Sequence, residues 1–205
     1  MSKFFMTTEE KIVAKALELF NERGIEYVGL RELAAVLGIR VGNITYYFPT
    51  KDDLVARLSA DLAVLNSRIT TDHLSIYSLL QRFANVFGNH VQYRCLLLSF
   101  VHLIEQNKAL SEAYKATQDL RYKSLREDLS LLQKTGYLTP ETEVEFVLSM
   151  ITLLVRFWIS EASISFRHLS PPEQISHYAS LLANFLIPYA TPKGKEDIQR
   201  FLDDL

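Results

Sequence analysis

The sequence predicts an all-α protein: a short three-helix unit ending near residue 50, followed by a larger helical domain over 51–205. Three observations carry this expectation. No stretch alternates apolar and polar residues with strand period over a useful length, whereas apolar residues recur at helical spacing along most of the chain. Helix-start devices recur at Thr7–Glu10, Thr50–Asp53, Thr139-Pro140 and Ser170–Glu173. Glycine and proline punctuate the chain between the periodic segments.

Taken in order, Thr7 supplies an N-cap with Glu10 three residues on. Val13, Ala16, Leu17 and Phe20 share one face of the helix that follows, which ends at Gly24. Leu33, Ala34 and Leu37 share a face of a short second helix. Ala34 is small where another helix must cross closely, and Gly38 accepts the left-handed conformation of a tight turn. Ile39 and Ile44 anchor a third helix to the second. Phe48-Pro49 closes it, because the residue before a proline avoids the helical region.

Thr50 and Asp53 make a capping-box-like start for a fourth helix, from about Lys51 to Arg68, which Thr71-Asp72-His73 breaks. Segments from about Leu74 to Phe87 and Val91 to Gln106 are separated near Gly88-Asn89. A long amphipathic helix from about Leu110 to Lys134 stops at Gly136. Pro140, at a first helical position, opens a helix to about Arg167, and Ser170-Pro171-Pro172-Glu173 opens another to about Ile187. Pro188 and Pro192 end that helix, and Lys195 to Leu205 forms a last short one. No internal repeat or low-complexity tract interrupts the pattern.

Composition bounds the function. The 205 residues are nearly half apolar, enough for a substantial core, and 22 basic against 24 acidic residues leave a net charge of −2. No basic domain is present, so binding to a polyanion requires locally focused charge. The single cysteine, Cys95, lies in an apolar context and reads as a buried, inert thiol of a reducing compartment. Met1 to Thr7 is too short for a secretory signal, so the expected location is cytoplasmic. Val144 to Phe166 is hydrophobic enough to raise the membrane question. Glu145, Arg156 and Glu161 around it favour a buried or interface helix, with no membrane partner.

The third helix carries the most specific chemistry. Between its apolar anchors, Arg40, Val41, Asn43, Thr45 and Tyr46 are free to point outward. Such a face suits base edges: arginine reads guanine, asparagine reads adenine, and apolar groups touch the thymine methyl. Lys51, at the start of a helix whose free N–H groups favour an anion, and Tyr47, through its hydroxyl, suit phosphates.

Thr8 to Leu54 resembles the DNA-binding domain of the TetR family of bacterial transcriptional regulators. The matching residues are Ala16-Leu17-Glu18-Leu19-Phe20, Gly24, Leu30-Arg31-Glu32-Leu33-Ala34, Leu37-Gly38-Ile39, Gly42, Tyr46, Phe48-Pro49 and Thr50-Lys51. The sequence departs from the family pattern at Gly29, Arg40, Thr45 and Tyr47, where the family favours Thr, Ser or Thr, Tyr, and His respectively. The resemblance implies a helix-turn-helix DNA-binding domain over 1–50 and a helical regulatory, ligand-binding and dimerisation domain over 51–205. It implies a repressor that binds a palindromic operator in double-stranded DNA as a homodimer and is released by an unidentified small-molecule effector. The expected DNA-contacting residues are Arg31, Arg40, Val41, Asn43, Thr45, Tyr46, Tyr47 and Lys51.

Dimerisation has its own rationale, since one recognition helix covers too few base pairs to be selective. The helices opened at Pro140 and Pro171 carry apolar residues on more than one face. Phe146, Met150, Leu153, Phe157, Tyr178, Leu181, Leu182 and Phe185 are the expected interface, against the alternative that they fill a monomeric core. The middle of the chain mixes aromatic and polar residues. Phe83, Phe87, His90, Tyr93, Phe100, His102, Tyr114 and Arg156 are candidates to line an effector pocket, against the plainer reading that each is a core residue at helical spacing. Arg156, set among apolar neighbours, needs a partner: a ligand carboxylate is one candidate, and an internal Glu or Asp is the more expected one.

The five histidines show no metal-ligand spacing, and no Gly-rich phosphate loop or nucleophile motif is present. No enzymatic activity, cofactor or metal is expected. A helical dimerisation or small-molecule carrier module without DNA binding is the competing reading, and the exposure of Tyr46 and Tyr47 discriminates between the two.

Overall fold

The structure, a computed structural model, describes residues 6–69 and 73–205. Of the break expected at Thr71-Asp72-His73, Thr71 and Asp72 lie outside the described residues, as do residues 1–5 of the segment weighed as a leader. Among the described residues the chain is built of α-helices with one short 3-10 turn, and its sole β feature is an isolated bridge between Leu138 and Ala190. The all-α expectation holds.

The helices are α1 (Thr8–Arg23), α2 (Leu30–Leu37), α3 (Val41–Tyr47), α4 (Lys51–Ser67), α5 (Ile76–Gln92), α6 (Arg94–Leu98), α7 (Phe100–Gln106), α8 (Lys108–Lys134), α9 (Val144–Ser165), α10 (Pro171–Leu186) and α11 (Pro192–Asp203). They group into two compact units. The first comprises residues 1–64 with 93–112, the second residues 65–92 with 113–205. The expected division at residue 50 follows the motif, whereas packing also gathers α6 and α7 with the head.

In the first unit, Thr7 and Glu10 form the capping box expected of α1, with Thr7 N–H donating to Glu10 Oε2 at 2.7 Å. The core is Ile12, Ala16 and Phe20 from α1, Leu33 and Ala34 from α2, Ile44 from α3, and Leu54, Val55 and Leu58 from α4. Each large side chain buried there contributes about 1.5–3 kcal/mol. Arg57 of α4 pairs with Glu9 at the start of α1 and with Asp61 one turn on, at 3.0 Å. Cys95 of α6 is buried, as expected, and its N–H donates to Asn21 Oδ1 of α1 at 3.0 Å. Burial pushes its thiol up to about 12, so it stays protonated and unreactive.

In the second unit, α5 packs against α9, α10 and α11. Ile76, Leu79, Leu80, Phe83 and Phe87 meet Trp158 and Ile159 of α9, the Tyr178–Leu186 face of α10, and Ile198 and Phe201 of α11 in one apolar core. Arg82 of α5 is paired with Asp128 of α8.

Three expected boundaries moved. The break at Gly88-Asn89 is absent: α5 runs through both residues to Gln92. A helical glycine costs only about 1 kcal/mol, less than burying the neighbouring Phe87 contributes. Pro140 does not open α9. Residues 139–142 form a turn, with Thr142 N–H donating to the Thr139 carbonyl at 3.1 Å, and α9 starts at Val144. The side chain of Gln133 accounts for the turn by donating to the carbonyls of Thr139, Pro140 and Thr142 at 2.9–3.1 Å. Pro192 is a helix start, not a stop: Thr191 caps α11 by accepting from Gly194 N–H at 3.2 Å, and the proline occupies the first turn. By contrast, α10 begins as expected, with Glu173 accepting from Ser170 N–H at 2.7 Å and from its hydroxyl at 2.6 Å.

Candidate nucleic-acid interface

The α2–α3 corner is set by its backbone. Gly38 adopts φ +66°, in the left-handed region, as the tight turn requires. Ile39 N–H then donates to the Ala34 carbonyl at 3.0 Å and Gly38 N–H to the Ala35 carbonyl at 3.2 Å, satisfying the end of α2. Chain direction changes at Arg40, the N-cap of α3, whose backbone is extended and whose side chain makes no capping hydrogen bond. That agrees with the departure from Ser or Thr at this position and leaves the guanidinium exposed. Asn43 N–H donates to the Arg40 carbonyl at 2.9 Å.

A single residue fixes the rotation of α3. Ile44 is wholly buried, with Phe48 buried one turn later, and the opposite face turns to solvent. Arg40 and Asn43 are exposed, and Val41 and Thr45 are half-buried. Tyr46 is 80% and Tyr47 40% exposed, their rings meeting edge to face at 5.0 Å. Large aromatic surface left in water beside an arginine and an asparagine is the composition of a surface that meets a partner.

Local charge is focused although the chain as a whole is acidic. Residues 33–51 contain no acidic side chain. Glu32 is engaged by Arg23, whereas neither Arg31 nor Arg40 takes part in an ion pair among the described residues. Arg31 on α2 and Arg40 at the cap of α3 are thus exposed guanidinium groups with no described acidic partner.

Lys51 behaves differently. Its Nζ donates to the Ile25 carbonyl at 2.9 Å, with the Glu26 carbonyl at 3.5 Å, so the ammonium holds the turn after α1. The start of α4 is capped as expected: Thr50 N–H donates to Asp53 Oδ2 at 2.8 Å, and Thr50 Oγ1 accepts from Asp53 N–H at 3.2 Å. The Thr50 hydroxyl and amide hold the Asp53 carboxyl below its ordinary value. Beside Lys51 lies a cavity of about 90 Å³ lined by Ile25, Glu26, Asp52, Val55, His102 and Asn107, among others. It is too small for a drug-sized ligand, which needs roughly 300 Å³ or more.

The eight pocket candidates divide between the units. Tyr93, Phe100 and His102 belong to the first, where His102 is exposed at the rim of that small cavity. Phe83, Phe87, His90, Tyr114 and Arg156 belong to the second. Phe83 and Phe87 are core residues, and His90 accepts from Trp158 Nε1 at 3.1 Å. Arg156 lies 6.0 Å from the Tyr114 ring. Among the described residues the carboxylate expected to pair with Arg156 is absent; the guanidinium donates to the Tyr114 hydroxyl, and its Nε is buried without a hydrogen-bond partner.

Of the interface candidates, Phe146, Met150, Leu153 and Phe157 form an exposed stripe along α9, with Leu181 exposed and Phe185 half-buried on α10. Tyr178 and Leu182 are corrections: both are buried in their own unit, because they sit on the α10 face that packs inward. Sequence reasoning missed Tyr189, whose ring joins Phe146 to Phe185 at 6.4 and 5.6 Å. Arg121 lies two helical turns from Tyr114 on the same face of α8, and its charge lowers the pKa of Tyr114 against the effect of burial and that of His90 along with it.

Comparison with known proteins agrees with the site. Residues 12–58 match the model of bacterial regulatory proteins of the tetR family, and residues 57–198 match a second family model, described as a bacterial transcriptional repressor. A probable HTH-type transcriptional regulator of Bacillus subtilis (strain 168) is 34% identical over 56 residues, which is 27% of each chain. The fold is similar to that of a TetR-family regulator from Marinobacter aquaeolei VT8, with a TM-score of 0.86 and 20% identity over 97% of this chain and 98% of that one. It is also similar to a regulator from Saccharomonospora viridis solved with choline, with a TM-score of 0.72 and 16% identity over 89% and 97% of the two chains. A helix-turn-helix with a solvent-facing third helix, joined to family matches over most of the length, leaves one conclusion: this chain belongs to the TetR family of bacterial transcriptional regulators.

Proposed function

We propose that this protein is an effector-responsive repressor that binds a palindromic operator as a homodimer. The observation that carries the reading is the exposed face of α3, where Tyr46 and Tyr47 stand in solvent while Ile44 locks the helix into the head. Asn43 and Arg40 read base edges in the major groove, with Val41, Thr45 and Tyr46 supplying apolar and hydroxyl contacts. Tyr47, Arg31 and Lys51, with the first amides of α4, hold the phosphates. The competing carrier reading needs those two tyrosines in the core, and their exposure favours DNA.

The stripe Phe146–Met150–Leu153–Phe157, continued through Leu181 and Phe185, is the surface on which two copies pair, presenting two heads to half-sites about 34 Å apart. A small molecule bound in the second unit alters the spacing of the heads and releases the operator. The neighbour solved with choline supports a small-molecule role for this fold. The test is a gel-shift titration of the folded protein against the DNA upstream of its own gene. A shift at low salt supports the reading, and no shift under those conditions moves the assignment to a carrier module.

A further inference from the structure

We propose that the effector carries a carboxylate, and that the second unit binds it with Arg156 of α9, Tyr114 and Arg121 of α8, and His90 of α5. The inference rests on the effector-responsive reading and names the chemistry of its site.

The α8–α9 seam shows the anomaly. Near one end, Arg126 grips Glu145 with Nε at 2.5 Å and Nη2 at 3.0 Å, and one turn along α9 Tyr122 meets Ser149 at 3.4 Å. Further along comes Arg156 against Tyr114, and there the seam offers no acid. Among the described residues neither Arg156, half-buried, nor Arg121, exposed, has an ion-pair partner, and the Nε of Arg156 is itself buried and unsatisfied. The guanidinium also bonds the Tyr114 hydroxyl, but its Nε–H is shut off from water with no acceptor, a cost that a ligand oxygen arriving there would remove.

The neighbouring groups are donors as well. Trp158 Nε1 can only donate, so His90 Nδ1, which takes that bond at 3.1 Å, must carry a lone pair. The neutral ring therefore holds its proton on Nε2, and no described residue accepts it. Burial and the charge of Arg121 push this imidazole down to about 4, which keeps it neutral at ordinary pH. Burial raises the Tyr114 hydroxyl above its usual value against the pull of Arg156 and Arg121, so it too remains a donor. A second orphan, the buried hydroxyl of Tyr178, lies beside Trp158, with ring centroids 5.3 Å apart.

Two guanidinium groups, a phenol and an imidazole N–H with no acidic counterpart are the complement of an anion. A planar guanidinium fits a carboxylate edge to edge. Phe87 and Trp158, 4.9 Å apart, give the surroundings an apolar character, so the ligand class is a monocarboxylate with an apolar body.

The experiment is calorimetric titration of the full-length protein with decanoate, phenylacetate and cinnamate, each against its primary amide. At least one acid is expected to bind at least about tenfold more tightly than its amide. Arg156→Met should weaken that acid about 10- to 100-fold and leave the amide unchanged. Arg156→Met should also raise the melting temperature of the ligand-free protein by about 2–4 °C, since it removes a buried N–H that has no acceptor. Equal binding of acid and amide, no binding by any acid, or unchanged acid affinity in Arg156→Met overturns the proposal. So does a lowered melting temperature, which would make the guanidinium structural. Should Arg156→Met fail to fold, Tyr114→Phe and Arg156→Lys serve instead, and acid binding at wild-type strength in both overturns it equally. Operator binding is read separately, so absent acid binding in a protein that still shifts DNA sinks this inference alone.

Discussion

Lys51 Nζ donates to the carbonyl oxygen of Ile25 at 2.9 Å, tying the first residue of α4 to the turn that follows α1. The same residue is the proposed phosphate ligand, so its removal has two effects. Lys51→Met should lower the unfolding free energy by about 1–2 kcal/mol, because two carbonyls lose a charged donor. It should also weaken DNA binding for all sequences alike and reduce the salt slope of affinity by about 0.9. Urea denaturation and salt-dependent anisotropy titrations measure the two separately. A stability loss with an unchanged slope removes Lys51 from the DNA contacts and leaves it a positioning residue.

The exposed stripe on α9 gives a second expectation. Leu153 and Phe157 are one turn apart and both in solvent in the single chain. A charge at either position desolvates poorly in a paired interface, yet costs the isolated protomer little. Leu153→Glu and Phe157→Glu should therefore shift sedimentation from dimer to monomer, with the helical circular dichroism unchanged. A dimer that survives both substitutions places the interface elsewhere.

The burial of His90, with the charge of Arg121, makes stability depend on pH in one window. His90 titrates near 6.5 when unfolded and at about 4 in the fold. The unfolded chain thus binds the extra proton between those values, and stability falls as pH drops from 6.5 to about 4, by roughly 3 kcal/mol in total. Above pH 6.5 both states are neutral and the contribution is constant. Urea melts of the wild type and His90→Gln isolate the effect from the carboxylates. The stability advantage of the wild type should shrink through this window, and a constant difference would contradict the assignment.

Gly194 is required by a close approach. A Cβ there would lie 2.2 Å from the Tyr137 carbonyl oxygen, a backbone atom held by Thr191 N–H at 3.0 Å. Gly194→Ala should force α11 away from the turn after α8 and cost about 1–3 kcal/mol in urea denaturation. A neutral result would mean that the junction yields easily.

Much of this architecture was legible in local chemistry. The capping residues Thr7, Thr50 and Ser170 and the left-handed Gly38 act within a few residues of themselves, so the sequence displays them directly. The outward face of α3 was legible for the same reason, because one buried residue, Ile44, sets the rotation of so short a helix. The misplaced boundaries depend on distant partners. Pro140 sits in a turn because Gln133, on another helix, collects three of the turn's carbonyls, and Gly88 stays helical because its neighbours are buried by α9. Tyr178 and Leu182 could not be told from Leu181 by composition, since which apolar face of α10 turns inward is decided by what packs there. The missing acid opposite Arg156 was likewise invisible, as it is a property of the facing helix.

The most direct test of the central claim is selection of bound duplexes from a random DNA pool, run in parallel with wild type and Asn43→Ala. The wild type should enrich a motif of two inverted half-sites. Asn43→Ala should retain the spacing while losing preference at one base position in each half, at about 1–3 kcal/mol. No enrichment from folded protein at low salt, or an Asn43→Ala motif identical to that of the wild type, would contradict the account of α3 as the reading helix.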